Sequence, residues 1–166
     1  MRAGIALGSN VGDPLANLKA ARAEIERING AAPSLLASKI YETEPVDCEP
    51  GAAAFFNAVV EIGFDAGPLQ LLAELRQIER RLGRPSVHPR NVSRIIDLDL
   101  LYFGDAVTDT SELRLPHPRM QERAFVLQPL ADIRPELVLP NQRQSVAGLL
   151  HNLGDTSQLV RAVAQW

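Results

Sequence analysis

Asp97 and Asp99 stand two residues apart in RIIDLDLLYFG, residues 94–104, a stretch that otherwise has the Ile, Leu and aromatic content of a buried β-strand. Side chains two apart on a strand share a face, so the carboxylates in the middle of this strand are expected roughly 7 Å apart. At an effective dielectric near 20, two such charges repel by about 2–3 kcal/mol. A divalent cation beside them turns that cost into a binding site. Mg²⁺ takes one or two carboxylates and completes its octahedron with water and substrate phosphate. The competing reading is an exposed sheet face with two solvated or Arg-paired acids.

Arg76, Arg80, Arg81, Arg84, Arg90 and Arg94 fall within nineteen residues, and Glu79 is the only acid among them. Arg84, Arg90 and Arg94 lie in or beside PSVHPRNVS, residues 85–93, a long cationic loop that leads into the acid pair. Such a loop suits a lid over polyphosphate; alone, it is equally a solvated loop with helix-capping arginines. Glu79 sits beside a helical arc of Leu72, Leu75, Ile78 and Leu82, where a carboxylate turns to a neighbouring Arg or accepts from a nucleotide ribose. Phe55 and Asn57 share one face of FFNAVV. A flat heterocycle can use such a pair, stacking on the ring and hydrogen-bonding to the amide. An edge aromatic beside a solvated amide would look the same. His117, held between two prolines in LPHPRM near Arg119 and Arg123, is rigid and a candidate phosphate contact.

The elements that position these residues follow from pattern and punctuation. AGIALGS is a short buried strand. GDPLANLKAARAEIERING is a helix with Asp13 as N-cap, Pro14 at its first position and Gly30 beyond its end; Leu18, Ala21, Ile25 and Ile28 recur at helical spacing. PSLLASKIYETEPV is a strand running into a loop. FFNAVVEIGFD alternates, with Phe56, Ala58, Val60, Ile62 and Phe64 toward the core. GPLQLLAELRQIERRLGR is a second amphipathic helix, and the Asp-bearing strand follows. The order β-α-β-β-α-β predicts an α+β, ferredoxin-like sandwich, with a Pro-punctuated C-terminal extension of short helices and strands from RLPHPRM onward. LGSNVGD is read as a turn into a helix and is weak as a phosphate loop. There is no G-x-x-x-x-G-K-[ST], no G-x-G-x-x-G and no His-Cys metal spacing.

A chain of 166 residues predicts one domain, 1–166, with a real core. A net charge of −3 gives no general attraction to nucleic acid or anionic membrane. Lys19 and Lys39 are the only lysines among the 17 basic residues, so any phosphate grip is built from Arg, which binds bidentately. Cys48 is the single cysteine, which excludes an internal disulfide and a cysteine-based zinc cluster. MRAGIALGSN is too short an apolar run for a signal peptide, and the expectation is a cytoplasmic protein.

ALGSN, YETEPV, FFNAVVEI, LLAELRQIERRLGR, RIIDLDLLYFGD and LPHPRMQERAFVLQPL, in this order and spacing, resemble the 6-hydroxymethyl-7,8-dihydropterin pyrophosphokinases of folate synthesis. The resemblance covers about residues 3 to 140. It implies a ferredoxin-like enzyme, expected as a monomer, that moves pyrophosphate from ATP to the pterin hydroxymethyl oxygen and leaves AMP. It implies that Asp97 and Asp99 hold two Mg²⁺ ions. Thr43, Pro45, Val46 and Asn57 would contact the pterin, and Phe55 and Phe125 would sandwich it. Glu79, Arg94, His117 and Arg123 would serve ATP, with Arg84 and Arg94 as catalytic arginines. The sequence departs from the family at Phe55, often Tyr; at Asn91 and Ser93, where RWGPR is frequent; at Arg76, usually Gln; and at Pro118, Tyr in some members. Two other readings share the residues: a different metal-dependent nucleotidyl or phosphoryl transferase, which needs no Phe55/Asn57/Phe125 pocket, and a non-enzymatic binding domain, which leaves the acids unexplained.

Overall fold

The computed structural model describes residues 1–30, 34–44, 51, 53–84, 93–154, 159–164 and 166. In chain order the elements are β1 (Arg2–Ser9), α1 (Pro14–Ile28), β2 (Leu36–Ala37), β3 (Ile40–Thr43), β4 (Phe55–Gly63), α2 (Pro68–Arg81) and β5 (Asp97–Phe103). A hairpin of β6 (Thr108–Asp109) and β7 (Arg114–Leu115) follows, then a 3-10 turn at Met120–Glu122, α3 (Ala124–Ile133), α4 (Val146–Asn152) and β8 (Leu159–Ala164). No helix among the described residues is long and apolar enough to cross a membrane.

The main sheet runs β5-β1-β4-β3-β8, and β2 also pairs with β4. All of its pairings are antiparallel, which makes β1 parallel to β3 and β4 parallel to β5. Each parallel pair is joined by a helix and straddles one intervening strand. α1 forms where expected: Asp13 accepts from the Ala16 N–H at 3.0 Å, and Pro14 opens the helix where no donor is needed. Its Leu18, Ala21 and Ile25 are buried. The helix ends on an extended Asn29, and the Gly30 N–H donates to the Gly63 carbonyl at 2.8 Å, so Gly30 splices the chain onto β4.

β4 is covered on both faces. Ala58, Val60 and Ile62 pack with Leu71, Leu75 and Ile78 in the core under α1 and α2. Val59 belongs to a second core with Leu101, Tyr102, Val126 and Leu127, under α3. The expectation of a single core face is corrected here: the face that bears Phe55 and Asn57 runs on into this second core. β8, from the C-terminal extension, adds to the sheet beside β3. β5 begins at Asp97, so the acid pair sits at the strand's start and not in its middle.

The second core has a charged heart. Glu61 of β4 is 2 % exposed and receives the Tyr102 hydroxyl at 2.6 Å, the Arg134 guanidinium at 2.6 and 2.9 Å, and Arg2. Burial alone would raise its pKa, but these donors outweigh it and hold the carboxylate below its usual range. Tyr102 reaches Glu61 across Gly4, where a Cβ would lie 2.1 Å from the ring.

Candidate active site

β5 is an edge strand of the main sheet, and α2 reaches over that edge. The Glu79 carboxylate accepts the Leu98 N–H at 2.8 Å and also binds Arg84. The helical wheel placed Glu79 at the edge of the apolar stripe. In the structure it lies inside the stripe, 8 % exposed, with Leu71, Leu75 and Ile78. Burial raises its pKa above the ordinary carboxylate value, against the pull of the Leu98 N–H and the Arg84 charge. Glu79 therefore does pair with a neighbouring Arg, and it also satisfies an edge-strand donor that a buried sheet could not leave open.

Asp97 and Asp99 point to one face of β5, as the period of two requires. Arg84 Nη1 lies 2.5 Å from Asp97 Oδ1, and Arg94 Nη1 lies 2.6 Å from Oδ2. Among the described residues no side chain hydrogen-bonds or ion-pairs with Asp99. Burial first, and the Asp97 charge second, push its pKa up to about 6, although Arg123, Arg94 and Arg84 oppose the shift from a distance. One acid is matched and the other is held next to it without a partner.

Both acids open into a cavity of about 470 Å³ that Glu79, Arg84 and His117 also line. Leu72, Leu113 and Pro118 also line it, as do Arg76 and Glu112, which lie 3.4 Å from each other. His117 follows the cis Leu115–Pro116 bond; its N–H donates to the Leu101 carbonyl at 2.8 Å, which fixes it beside the strand. The Arg119 N–H donates to His117 Nδ1 at 3.3 Å, which leaves the proton on Nε2. Burial, helped by Arg123 and Arg119, pulls the imidazole down to about 4, so it is a neutral donor at pH 7. Arg123 stacks over the Phe125 ring at 5.4 Å.

A second cluster adjoins this cavity through the sheet register. Tyr41, Asn57, Gly8 and Asp97 are successive partners across β3, β4, β1 and β5. Asn57 is buried and donates to Thr43 Oγ1 at 2.7 Å. A Cβ on Gly8 would stand 3.2 Å from Asn57 Oδ1, so glycine keeps the space before that oxygen open. Phe55 is paired with Thr43, and Phe125 is carried by α3, which packs over β4 and β3. The structure thus gathers Glu79, Arg84, Arg94, Asp97, Asp99 and His117 at one end of the row. Thr43, Phe55 and Asn57 lie at the other. Pro45, Val46 and residues 85–92 of the loop expected as a lid (85–93), Asn91 among them, lie outside the described residues.

The sequence reading passed over four contributors. Asn10 and Gly8 were hidden in a short turn motif, Glu112 and Leu113 in an unremarked hairpin. Only Gly8 carried a signal, a glycine at the end of an apolar strand.

Mg²⁺ binding is tested by the donors present. Two carboxylates on one face, one with no side-chain partner among the described residues, opening into a polar cavity, are the ligand set this cation takes alongside water and phosphate. The residues fit.

These features define a site for a polyanionic ligand on a mixed α/β fold with an antiparallel sheet. The fold is shared with HPPK-DHPS chains of Plasmodium falciparum: one superimposes with a TM-score of 0.73 at 18 % identity, over 91 % of this chain and 44 % of that one. The chain belongs to the 7,8-dihydro-6-hydroxymethylpterin-pyrophosphokinase (HPPK) family, which it matches over residues 4–135. It is 45 % identical over 129 residues to the 2-amino-4-hydroxy-6-hydroxymethyldihydropteridine pyrophosphokinase of Bacillus subtilis, covering 78 % of this chain and 75 % of the relative. The Haemophilus influenzae protein of the same name is 35 % identical, covering 91 % and 92 %. The folic acid synthesis protein fol1 of Pneumocystis carinii is 38 % identical over 91 % of this chain, which spans only 20 % of that larger protein.

Proposed function

We propose that this chain transfers pyrophosphate from ATP to 6-hydroxymethyl-7,8-dihydropterin, giving the pterin diphosphate and AMP in folate biosynthesis. The observation that carries the residue assignment is the register row. A single strand position, Gly8, separates the amide of Asn57 from the carboxylate of Asp97. Two substrates bound at the two ends of that row meet over β1. The sheet is read as ferredoxin-like, because β1, β3, β4 and β5 with α1 and α2 form two interlocked β-α-β units. The chain acts as one domain, a monomer in the cytoplasm.

ATP lies in the cavity with its base toward Leu72 and Leu113 and its phosphates toward the acid pair. Asp97 and Asp99 would hold Mg²⁺, two ions in this reading, which would supply charge neutralisation for the triphosphate and a lowered pKa for the hydroxymethyl oxygen. Arg84 and Arg94 exchange Asp97 for phosphate oxygens as ATP enters, and their planar guanidiniums grip the phosphates bidentately. His117 donates from Nε2 without adding charge, and Arg123 leaves the Phe125 ring for the diphosphoryl group being transferred from AMP to the pterin oxygen. Glu79 holds β5 in place and faces the nucleotide. Asn57 and Thr43 bind the pterin edge, Phe55 and Phe125 stack on its faces, and Pro45 and Val46 contribute backbone contacts. Catalysis comes from positioning and charge stabilisation, as in other phosphoryl transfers.

Product analysis tests this reading. Purified protein with ATP, Mg²⁺ and the hydroxymethyl-dihydropterin should yield AMP and pterin diphosphate in equal amounts, with little AMP when pterin is omitted. An α,β-methylene ATP analogue should bind and resist transfer, because the α–β bridging oxygen is the leaving atom. ADP as the main product would overturn the assignment.

A further inference from the structure

Ser9 and Asn10 close β1 with buried polar side chains, 0 % and 5 % exposed, that the reaction above does not use. Asn10 Oδ1 accepts the Arg94 N–H at 2.7 Å, while the Asn10 N–H donates to the Arg94 carbonyl at 3.1 Å. The Nδ2 of the same side chain donates to Ser93 Oγ at 3.0 Å and to the Ala53 carbonyl at 3.3 Å. Ser9 Oγ donates to the Ile95 carbonyl at 2.5 Å and accepts from Asn17 Nδ2 at 3.1 Å, which ties the same point to α1.

One planar amide therefore joins the segment entering β4 to the segment entering β5. Ala53 lies just before Phe55 and Asn57, and Ser93 and Arg94 lie just before Asp97. The polarity is fully used: one acceptor faces a backbone N–H, and two donors face a hydroxyl and a carbonyl. Because the amide is rigid, a shift of the Ala53 segment moves Oδ1 as well as Nδ2. Oδ1 holds the backbone of the residue whose guanidinium lies 2.6 Å from Asp97.

We propose that Asn10 is a positioning residue that couples the pterin pocket to the phosphate site, so that occupancy at Ala53–Asn57 sets the posture of Arg94. The inference rests on the pyrophosphokinase reading. It requires pterin and nucleotide to strengthen each other's binding through this amide, by the same factor in both directions.

Binding cycles test it. The affinity of 6-hydroxymethylpterin is measured by calorimetry with and without saturating α,β-methylene ATP and Mg²⁺, for wild type, Asn10→Asp and Asn10→Ala. Asn10→Asp keeps the acceptor for Arg94 but places an oxygen against the Ala53 carbonyl; Asn10→Ala removes both links. The wild-type coupling is expected in the usual range of about 5–150-fold, and in both variants it should fall toward one. Misplacing Arg94 should lower kcat by on the order of 10- to 100-fold and raise the KM for ATP, because Arg94 also grips its phosphates. Should Asn10→Ala not fold, Asn10→Asp and Ser93→Ala, which removes one partner of Nδ2, carry the test through reduced coupling. Full coupling in a folded Asn10→Asp protein, or none in wild type, overturns the proposal. Because the cycle reads binding alone, it is separate from the AMP assay, whose failure would overturn the reaction instead.

Discussion

Asp97 and Asp99 share one face of β5 but not one environment: two guanidiniums hold Asp97, and no side chain among the described residues pairs with Asp99. Their substitutions should therefore part company. Asp99→Asn removes a half-buried charge and its repulsion from Asp97, and should stabilise the metal-free protein by on the order of 1–3 kcal/mol at pH 7. Asp97→Asn weakens two charge-assisted hydrogen bonds and should be neutral to destabilising. Both should abolish turnover. Denaturant midpoints without Mg²⁺, set against AMP formation, decide the matter. Substantial activity in either variant would remove the metal assignment.

Asn57 is tied to Thr43 on one side and faces the gap over Gly8 on the other. Asn57→Ala should weaken pterin binding by about 1–3 kcal/mol, the cost of leaving heterocycle groups unpaired. Calorimetry with the ATP analogue alone should register almost no change. Equal losses for both ligands would mean that β4 itself had moved.

His117 is held neutral, with its pKa down at about 4. The unfolded chain takes up that proton near pH 6.5, so between about 6.5 and 4 the unfolded state binds more protons and stability falls as pH falls. Asp99 acts in the opposite sense, since its raised pKa costs stability above about 6 and the cost is relieved on acidification. Thermal melts of His117→Asn should show a smaller loss of Tm from pH 7 to pH 5 than wild type shows. An unchanged loss would place the sensitivity elsewhere.

Gly4 has room for no side chain beneath Tyr102. Gly4→Ala should displace the ring from Glu61 and destabilise the protein far more than Tyr102→Phe. The latter removes one donor from a buried carboxylate and should cost about 1–3 kcal/mol. Urea unfolding of the two variants gives the comparison; a mild Gly4→Ala would mean that the strands part easily at this point.

The sequence by itself determined what local rules govern. The Asp13–Pro14 start of α1 depends on capping within one turn, and the alternation of β4 depends on the two-residue period. Asp97 and Asp99 share a face for the same reason, whatever strand lies beside them. Their candidate chemistry, and the family resemblance, were legible because residue type and spacing are one-dimensional facts.

Tertiary structure decided what depends on partners distant in the chain. Nothing near Glu79 in sequence shows that its carboxylate satisfies the Leu98 N–H across the sheet edge. Nor does the sequence show that Arg2, Tyr102 and Arg134 converge on Glu61 from three elements. The turn after β1 carried no mark of its role, because Asn10 acquires its partners only when the approaches to β4 and β5 are brought to it. Which acid is paired and which is not also follows from the fold. Burial and hydrogen bonding are properties of assembled surfaces, and the chain order does not contain them.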